Sequence, residues 1–558
     1  MKKEIVLIFL FAFIVRISFL IEFSNCPSFL NPLIDAKTYW QMAGNLLKGA
    51  PITADWFWQS PFYPLFLALL QIITNGSLWG VKVIQALIGS GSCVLVYVLG
   101  SKIFDKRTAL IAVIITLVYA PLLYFESEFL ANVLETFYSL ALMLLIVQIE
   151  KDPKNKKIAA ALGLAGGSAL FVRPTFIPFV IIAFLYLLWK QKRDKTLSAS
   201  TIAPLFVGLL ISVAPFITLR SSVAGDIGIT PYSGGINLYI GNQAARESAI
   251  NVRPGREWDE MQEEVNRLGY GTYKEASQYF SDKTIAYIKS HPFHFVKGIA
   301  AKSLQFVTGT ELPRNEDIYI MREWSGILTS LLWKIGRFAF PFSLFFPLFI
   351  IGMIYGFKKS HWSLPLFIFI YSASIILVFN SSRYRTPIIP AASIFAAYGI
   401  VSLYRLFKEN RRQFVSVLFL LPICVAVTMT GPYAEEKINY RSEYNNLLGK
   451  NALQQGRLSE ARDYYVKAAM QDSTYDDPHY NLGCLYLRAG SNDPAITSFK
   501  KTIEINPAHK RALINLYYLV QMGGDTASSD SILESNYKLL ITEQDMVDEW
   551  NRMKARKQ

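Results

Sequence analysis

Apolar runs of about 18 to 20 residues recur along most of this chain, separated by short basic tracts such as KDPKNKK at 151–157 and KQKRDK at 190–195. A run of that length crosses the hydrocarbon of a bilayer as a helix, because only a helix or a closed barrel satisfies its own backbone N–H and C=O groups there. The reading is an all-α polytopic membrane protein. With 52% hydrophobic residues and a mean hydropathy of +0.28, the chain is too apolar for an ordinary soluble enzyme. The net charge of +14 sits largely in the tracts between apolar runs, where it orients the chain in the membrane, so nucleic acid is not an expected partner. The four cysteines, Cys26, Cys93, Cys424 and Cys484, show neither disulfide-framework nor metal-binding spacing.

Lys2 and Lys3 precede the first apolar run, which Arg16 interrupts and no small-x-small cleavage site follows. This favours a retained helix over a cleaved signal peptide. A charge at a helix centre costs roughly 2.5 to 3.5 kcal/mol, so Arg16 either snorkels to the interface or finds a polar contact inside the bundle.

Taking Lys2 and Lys3 as cytoplasmic, spans are expected at 4–21, 79–100, 108–125, 129–149, 158–172, in the stretch leading to Lys190, and at 202–219, 338–357, 362–379, 388–406 and 414–430, about eleven in all. The basic tracts then fall on one side. Asp35, Glu126, Glu128, Arg173, Arg220, Arg383 and Arg385 fall on the other, within or beside a first loop (22–78), a large loop (220–337) and several span ends. Two stretches, 36–47 and 61–74, are expected to lie along the outer surface as interfacial helices, as is the amphipathic piece 293–308. The glycines of PYSGGINLYIGN at 231–242 are expected to make tight turns.

Beyond residue 430 the pattern changes. Leu448-Gly449 and Leu482-Gly483, Gly456 and Gly490, Ala461 and Ala495, and Tyr465 and Phe499 each recur at 34 residues, the period of the tetratricopeptide repeat. The expected organisation is a membrane domain over 1–430, a linker at 431–442, an α-solenoid over 443–540 and a tail at 541–558. A third repeat from 511 to about 540 keeps Leu516 but loses the glycine, as a degenerate or capping unit does. By the topology above this domain is extracytoplasmic.

Five segments, DAKTYW (35–40), SPFYP (60–64), VRPT (172–175), LRSSVAGDIGITPYSGGINLYIGN (219–242) and RYRTPIIP (383–390), resemble in order and spacing the membrane glycosyltransferases of the GT-C superfamily. The branch is that of the protein O-mannosyltransferase and aminoarabinose-transferase relatives, including bacterial forms described as dolichyl-phosphate-mannose mannosyltransferase-like. The likeness covers about residues 1–407. It implies an enzyme of the bacterial inner or plasma membrane, a hexosyl- or pentosyltransferase. Such an enzyme moves a sugar from a polyprenyl-phosphate carrier to an acceptor at the extracytoplasmic face, usually with inversion. The acceptor can be protein, lipid or polysaccharide, and the repeat domain adds a possible protein partner.

The resemblance makes Asp35 the acceptor-activating base, because an unassisted hydroxyl is a poor nucleophile; the plainer role is an N-cap for the helix from Ala36, and the two are compatible. Arg220, Arg383 and Arg385, with Tyr384, are the candidates to hold the donor phosphate, whose charge grows as the glycosidic bond breaks. The plainer role for each arginine is contact with lipid head groups. Glu128 is the candidate second acid, although many relatives carry one where this chain has Asn132, so Glu126, Glu128 or neither can fill that role. Tyr39, Arg173, Asn237, Tyr239 and Asn242 are possible pocket residues, with helix-end or turn-forming roles as the alternative. The chain has no HExxH, no CxxC, no WWD and no acidic DxD in the first loop, so no metal and no cofactor beyond the donor itself is expected. Rival readings are an O-antigen ligase or polymerase acting on a lipid diphosphate, a transporter, and a membrane-anchored repeat scaffold.

Overall fold

The computed structural model describes residues 2–194, 199–243, 256–431, 439–540 and 543–557. The chain forms two compact units, Met1–Ala434 and Glu435–Gln558, each described by itself below.

In the first unit every expected span contains a helix, but not all of these helices are long. Seven among the described residues are long and apolar enough to cross a bilayer: Lys2–Phe23, Leu78–Ile103, Asn132–Lys151, Ser200–Ala224, Phe342–Lys359, Ser382–Glu409 and Arg411–Met429. The broken pair Lys106–Val118 and Ala120–Ser127 makes an eighth if taken as one span. Eight of the eleven expected spans are thus supported by length and composition among the described residues, and the other three hold shorter apolar stretches of helix. Lys156–Val172 has 17 residues and Ser363–Val378 has 16, where a crossing takes about 20. The unit is an integral membrane protein by these spans, and their outward residues agree: Leu7, Phe11, Ile14, Leu210, Ile211 and Ile354 are exposed large hydrophobics, as lipid contact requires.

The span expected over 108–125 bends by 62° at Tyr119. Pro121, in the first turn of the second segment, lacks the N–H that would continue the helical ladder. Arg16 does not snorkel. It is buried, and its Nη2 lies 2.8 Å from Glu126 inside the bundle. Close helix approach is set by glycine where a side chain has no room: a Cβ on Gly163 would stand 1.9 Å from the Leu205 carbonyl oxygen, and one on Gly208 2.3 Å from that of Ala160.

The segment 231–242 is not a set of tight turns. Ser233–Asn242 is a helix, and two of its three glycines serve close packing: a Cβ on Gly235 would meet the Ser277 carbonyl oxygen at 1.9 Å, and one on Gly241 that of Val378 at 1.7 Å. This helix thereby lies against Tyr273–Ser290 and the end of Ser363–Val378. The all-α expectation gains one small exception. Trp333–Ile335 and Phe338–Phe340 pair antiparallel around Gly336, whose φ of 58° suits the turn, so the following helix starts at Phe342 rather than at 338.

The second unit stacks helix pairs: Tyr440–Gln454 with Leu458–Gln471, Asp476–Arg488 with Asn492–Ile505, and Lys510–Met522 with Thr526–Ser535. The period has a steric cause. Gly449 and Gly483 leave room for the aromatic rings sixteen residues on, since a Cβ would come within 2.5 Å of Tyr465 and 2.6 Å of Phe499. In the third pair the sizes are exchanged, with Tyr517 at the glycine position and Leu533 at the aromatic one, both fully buried. The stretch expected as a tail is a helix, Gln544–Lys557; Met546 and Met553 enter the core, and Tyr517 donates to Glu549 at 2.9 Å. Most of the expected linker, 432–438, lies outside the described residues, and the first repeat helix begins within its remainder. We expect Gly483→Leu to destabilise this unit by about 1 to 3 kcal/mol through overpacking against Phe499, read as earlier proteolysis of the C-terminal unit in the detergent-solubilised full chain.

Candidate active site

The helix Ile34–Leu47 starts abruptly. Ile34 has φ 48°, an outlier for a β-branched residue that costs about 1 to 3 kcal/mol, and the N-cap is Leu33 without a side-chain cap. Asp35 is thus not the helix cap. Its carboxylate lies on the wall of a cavity of about 490 Å³ that is lined also by Tyr39, Trp58, Gln59, Arg173, Asn237, Trp258, Arg314, Asn315, Arg383 and Tyr384. Tyr39, one turn along the same helix, donates to Gln59 Oε1, and Gln59 Nε2 reaches Asp35 Oδ1 at 3.4 Å.

The decisive contact joins residues 348 apart in sequence: Arg383 Nη1 donates to Asp35 Oδ2 at 2.8 Å. The backbone under Arg383 is tied down. Asn132 Nδ2 donates to the Arg383 carbonyl at 2.6 Å and to Thr386 Oγ1 at 2.9 Å, while Ser382 N donates to the Leu312 carbonyl at 3.1 Å. Asn132 thereby positions the arginine. The Nε of Arg383 is buried and has no hydrogen-bond partner. Beside it, the Arg173 guanidinium lies 4.2 Å from the Tyr384 ring and pairs with the buried Glu135 at 2.6 Å.

Burial alone would raise the Asp35 carboxyl, but the charges of Arg383 and Arg314 and hydrogen bonds from Arg383 and Asn315 outweigh it and hold the group at about 2. Arg314 carries no motif, and reading the sequence misses it. It stands next to Pro313 in the polar segment between the helices Pro292–Phe306 and Ile318–Met321, and only the fold brings it to this wall.

Several expected site residues are elsewhere. Arg220 is committed to Asp226, to the Thr230 carbonyl and to the Tyr232 ring at 4.4 Å, an arrangement that closes the turn after its helix. Arg385 points away from the cavity. It donates to the Phe306 and Thr308 carbonyls at 3.1 and 2.8 Å, pairs with Glu311 at 3.0 Å and stacks 3.7 Å from the Phe342 ring. Tyr239 packs on Phe280 at 5.0 Å, and Asn242 bonds the Leu238 and Leu377 carbonyls and Lys302.

Glu128 does not line the large cavity. It borders a small neighbouring space with Tyr124, Arg314, Asn315, Glu316 and Arg383, and its Oε1 lies 3.7 Å from the buried Lys82. Glu316 accepts from Tyr124 at 2.7 Å, and burial together with the Glu128 charge pushes its carboxyl up to about 8. Glu126 is held by Arg16, as above. Among the described residues no group of three or more His, Cys, Asp or Glu stands close enough to hold a metal ion.

Comparison with known proteins adds three findings. The family model for dolichyl-phosphate-mannose-protein mannosyltransferase matches residues 58–219, a segment that includes Glu128 and Arg173 but neither Asp35 nor Arg383, and a tetratricopeptide repeat model matches residues 477–509. The Photosystem I assembly protein Ycf3 of Prochlorococcus marinus subsp. pastoris is 25% identical over 130 residues, 23% of this chain and 73% of that protein. Among solved structures, an oligosaccharyltransferase of Archaeoglobus fulgidus in the apo form aligns at 14% identity with a TM-score of 0.41, covering 82% of this chain and 59% of that one. An archaeal oligosaccharyltransferase from the same organism in complex with an inhibitory peptide and a dolichol-phosphate aligns at 14% identity with a TM-score of 0.37 over the same shares. The chain thus spans a little under three fifths of the length of these structures. Residues 58–219 of the membrane unit are thus similar to the dolichyl-phosphate-mannose-protein mannosyltransferase family, and the C-terminal unit carries a tetratricopeptide repeat.

Proposed function

We propose that this chain is a glycosyltransferase that moves a sugar from a polyprenyl-phosphate donor to an acceptor at the extracytoplasmic membrane face. One observation carries the reading: Asp35 and Arg383 meet at 2.8 Å on the wall of a cavity of about 490 Å³, with Arg314 and Arg173 on the same wall. A carboxylate beside several guanidinium groups meets the two demands of the reaction, a proton acceptor for the incoming hydroxyl and fixed positive charge for the departing phosphate. In this scheme the acceptor oxygen bonds the sugar C1 as the bond from C1 to the phosphate oxygen breaks. The hydroxyl proton passes to Asp35, and the polyprenyl phosphate leaves with its charge matched by Arg383 and Arg314. Arg173, Tyr384, Tyr39 and Asn237 shape the pocket.

The name of the matching family supports a polyprenyl-phosphate-linked donor, and the repeat unit supports a polypeptide contact, as acceptor or partner. With guanidinium groups at hand for the phosphate, no metal is required. The test is transfer by the purified chain in vesicles from polyprenyl-monophosphate hexoses and pentoses, with turnover expected for at least one and unaffected by EDTA. No turnover with any monophosphate donor, or turnover only with a diphosphate, overturns the reading.

The orientation is part of the proposal, with the N-terminus cytoplasmic in a bacterial inner or plasma membrane. A cysteine placed at Gly490 in a chain stripped of native cysteines is expected to react with an impermeant thiol reagent in intact cells, and Lys154→Cys to be protected. The opposite pattern inverts the topology.

A further inference from the structure

The same guanidinium that is proposed to receive the donor phosphate already holds the proposed base. A carboxylate gripped by Arg383 at 2.8 Å is a weak proton acceptor, because the ion pair stabilises the very charge that protonation removes. Building on the transferase reading, we infer that the donor phosphate competes with Asp35 for Arg383, so that donor binding is what turns Asp35 into a base.

The geometry supports an exchange of partners by a side chain on a fixed backbone. Asn132 and Leu312 hold the main chain on either side of Arg383, so the guanidinium can turn without moving the helix start. Its Nε is buried, has no hydrogen-bond partner, and belongs to a group that borders the cavity, so the fork has donor capacity left for phosphate oxygens. The donor phosphate is a diester with one negative charge and accepts bidentately, as a carboxylate does, so it competes for the arginine on equal terms at binding, and its charge grows toward that of the monoester as the bond to the sugar breaks.

The other groups around Asp35 fit the same logic. Arg314 and Asn315 face it from the segment before Ile318–Met321, Tyr39 from its own helix, Gln59 from the first loop and Tyr384 from beside Arg383, while Arg173 lies under Tyr384. Arg314 lowers the Asp35 carboxyl from the cavity side, so the same phosphate also neutralises this second charge. Tyr39 and Gln59 remain to aim the carboxylate once the arginine has turned. The consequence is order: an acceptor that enters an empty site meets no base, and a sugar carrier that arrives first prepares one.

The experiment is a pH titration of the Asp35 carboxyl by difference infrared spectroscopy on the full chain in nanodiscs, with Asp35→Asn identifying the band. The probes are a short polyprenyl phosphate without sugar and the same polyprenol without phosphate, with binding of each measured separately. The phosphate is expected to raise the midpoint by about two pH units, about 100-fold in proton affinity, and the polyprenol to leave it in place. Arg383→Gln is expected to raise the midpoint in the empty protein and to remove most of the further response. Bound polyprenyl phosphate without a shift, or an equal shift with polyprenol, overturns this inference and leaves the transferase reading standing. A polyprenyl phosphate that does not bind at all removes both.

Discussion

Asp35→Asn is expected to lower sugar transfer by roughly 10²- to 10⁴-fold, the range by which a positioned acid or base contributes. The amide keeps the size of the carboxylate and can still meet Gln59, whose Nε2 is 3.4 Å from Asp35 Oδ1, so the helix and its cavity wall are retained. It cannot take a proton from a hydroxyl. The measurement is turnover of a polyprenyl-phosphate sugar by protein that elutes as wild type from size exclusion, with donor binding measured alongside. Binding is expected to persist or tighten, because Arg383 loses its competitor. Transfer at the wild-type rate would remove Asp35 from the chemistry.

The second large effect separates two arginines that look alike in the sequence. Arg383→Ala is expected to lower turnover by roughly 10²- to 10³-fold, as loss of a preorganised charge aimed at the leaving group does. Arg220→Ala is expected to act on stability, because Arg220 is enclosed by Asp226, the Thr230 carbonyl and Tyr232 and is absent from the cavity wall. The pH dependence of stability gives a check that activity alone does not. Burial raises the Asp226 carboxyl, but hydrogen bonds from Arg220, Tyr232 and the Gly228 backbone outweigh this and hold it at about 2. Since an unfolded Asp titrates near 3.9, this stabilisation is present above about pH 4 and is lost as pH falls toward 2. In Arg220→Ala the part due to the arginine disappears from that acid limb, while donor use per folded molecule stays near wild type. A fall in donor turnover at unchanged stability would return Arg220 to the site.

The residues that reading the chain brought to the site share one trait with those it misplaced. Asp35, Tyr39, Arg173, Asn237, Arg383 and Tyr384 line one cavity, whereas Glu128, Arg220, Arg385, Tyr239 and Asn242 do not. The charged members of both sets fall at or near helix ends next to spans, where charge is inexpensive. Arg383 and Arg385 make the point most directly: two residues apart on one short helix, they face opposite surroundings, one a carboxylate on a cavity and the other two carbonyls, a glutamate and a ring. Arg314 stands in a segment without pattern and still borders the cavity.

Periodicity, by itself, determined the membrane class, the approximate places of the spans and the repeat unit, because apolar length and a 34-residue steric repeat are constraints that each segment meets locally. Which polar group meets which was decided only in three dimensions. A buried charge takes the nearest group that compensates its lost hydration, and that partner comes from another helix, hundreds of residues away for Asp35 and Arg383.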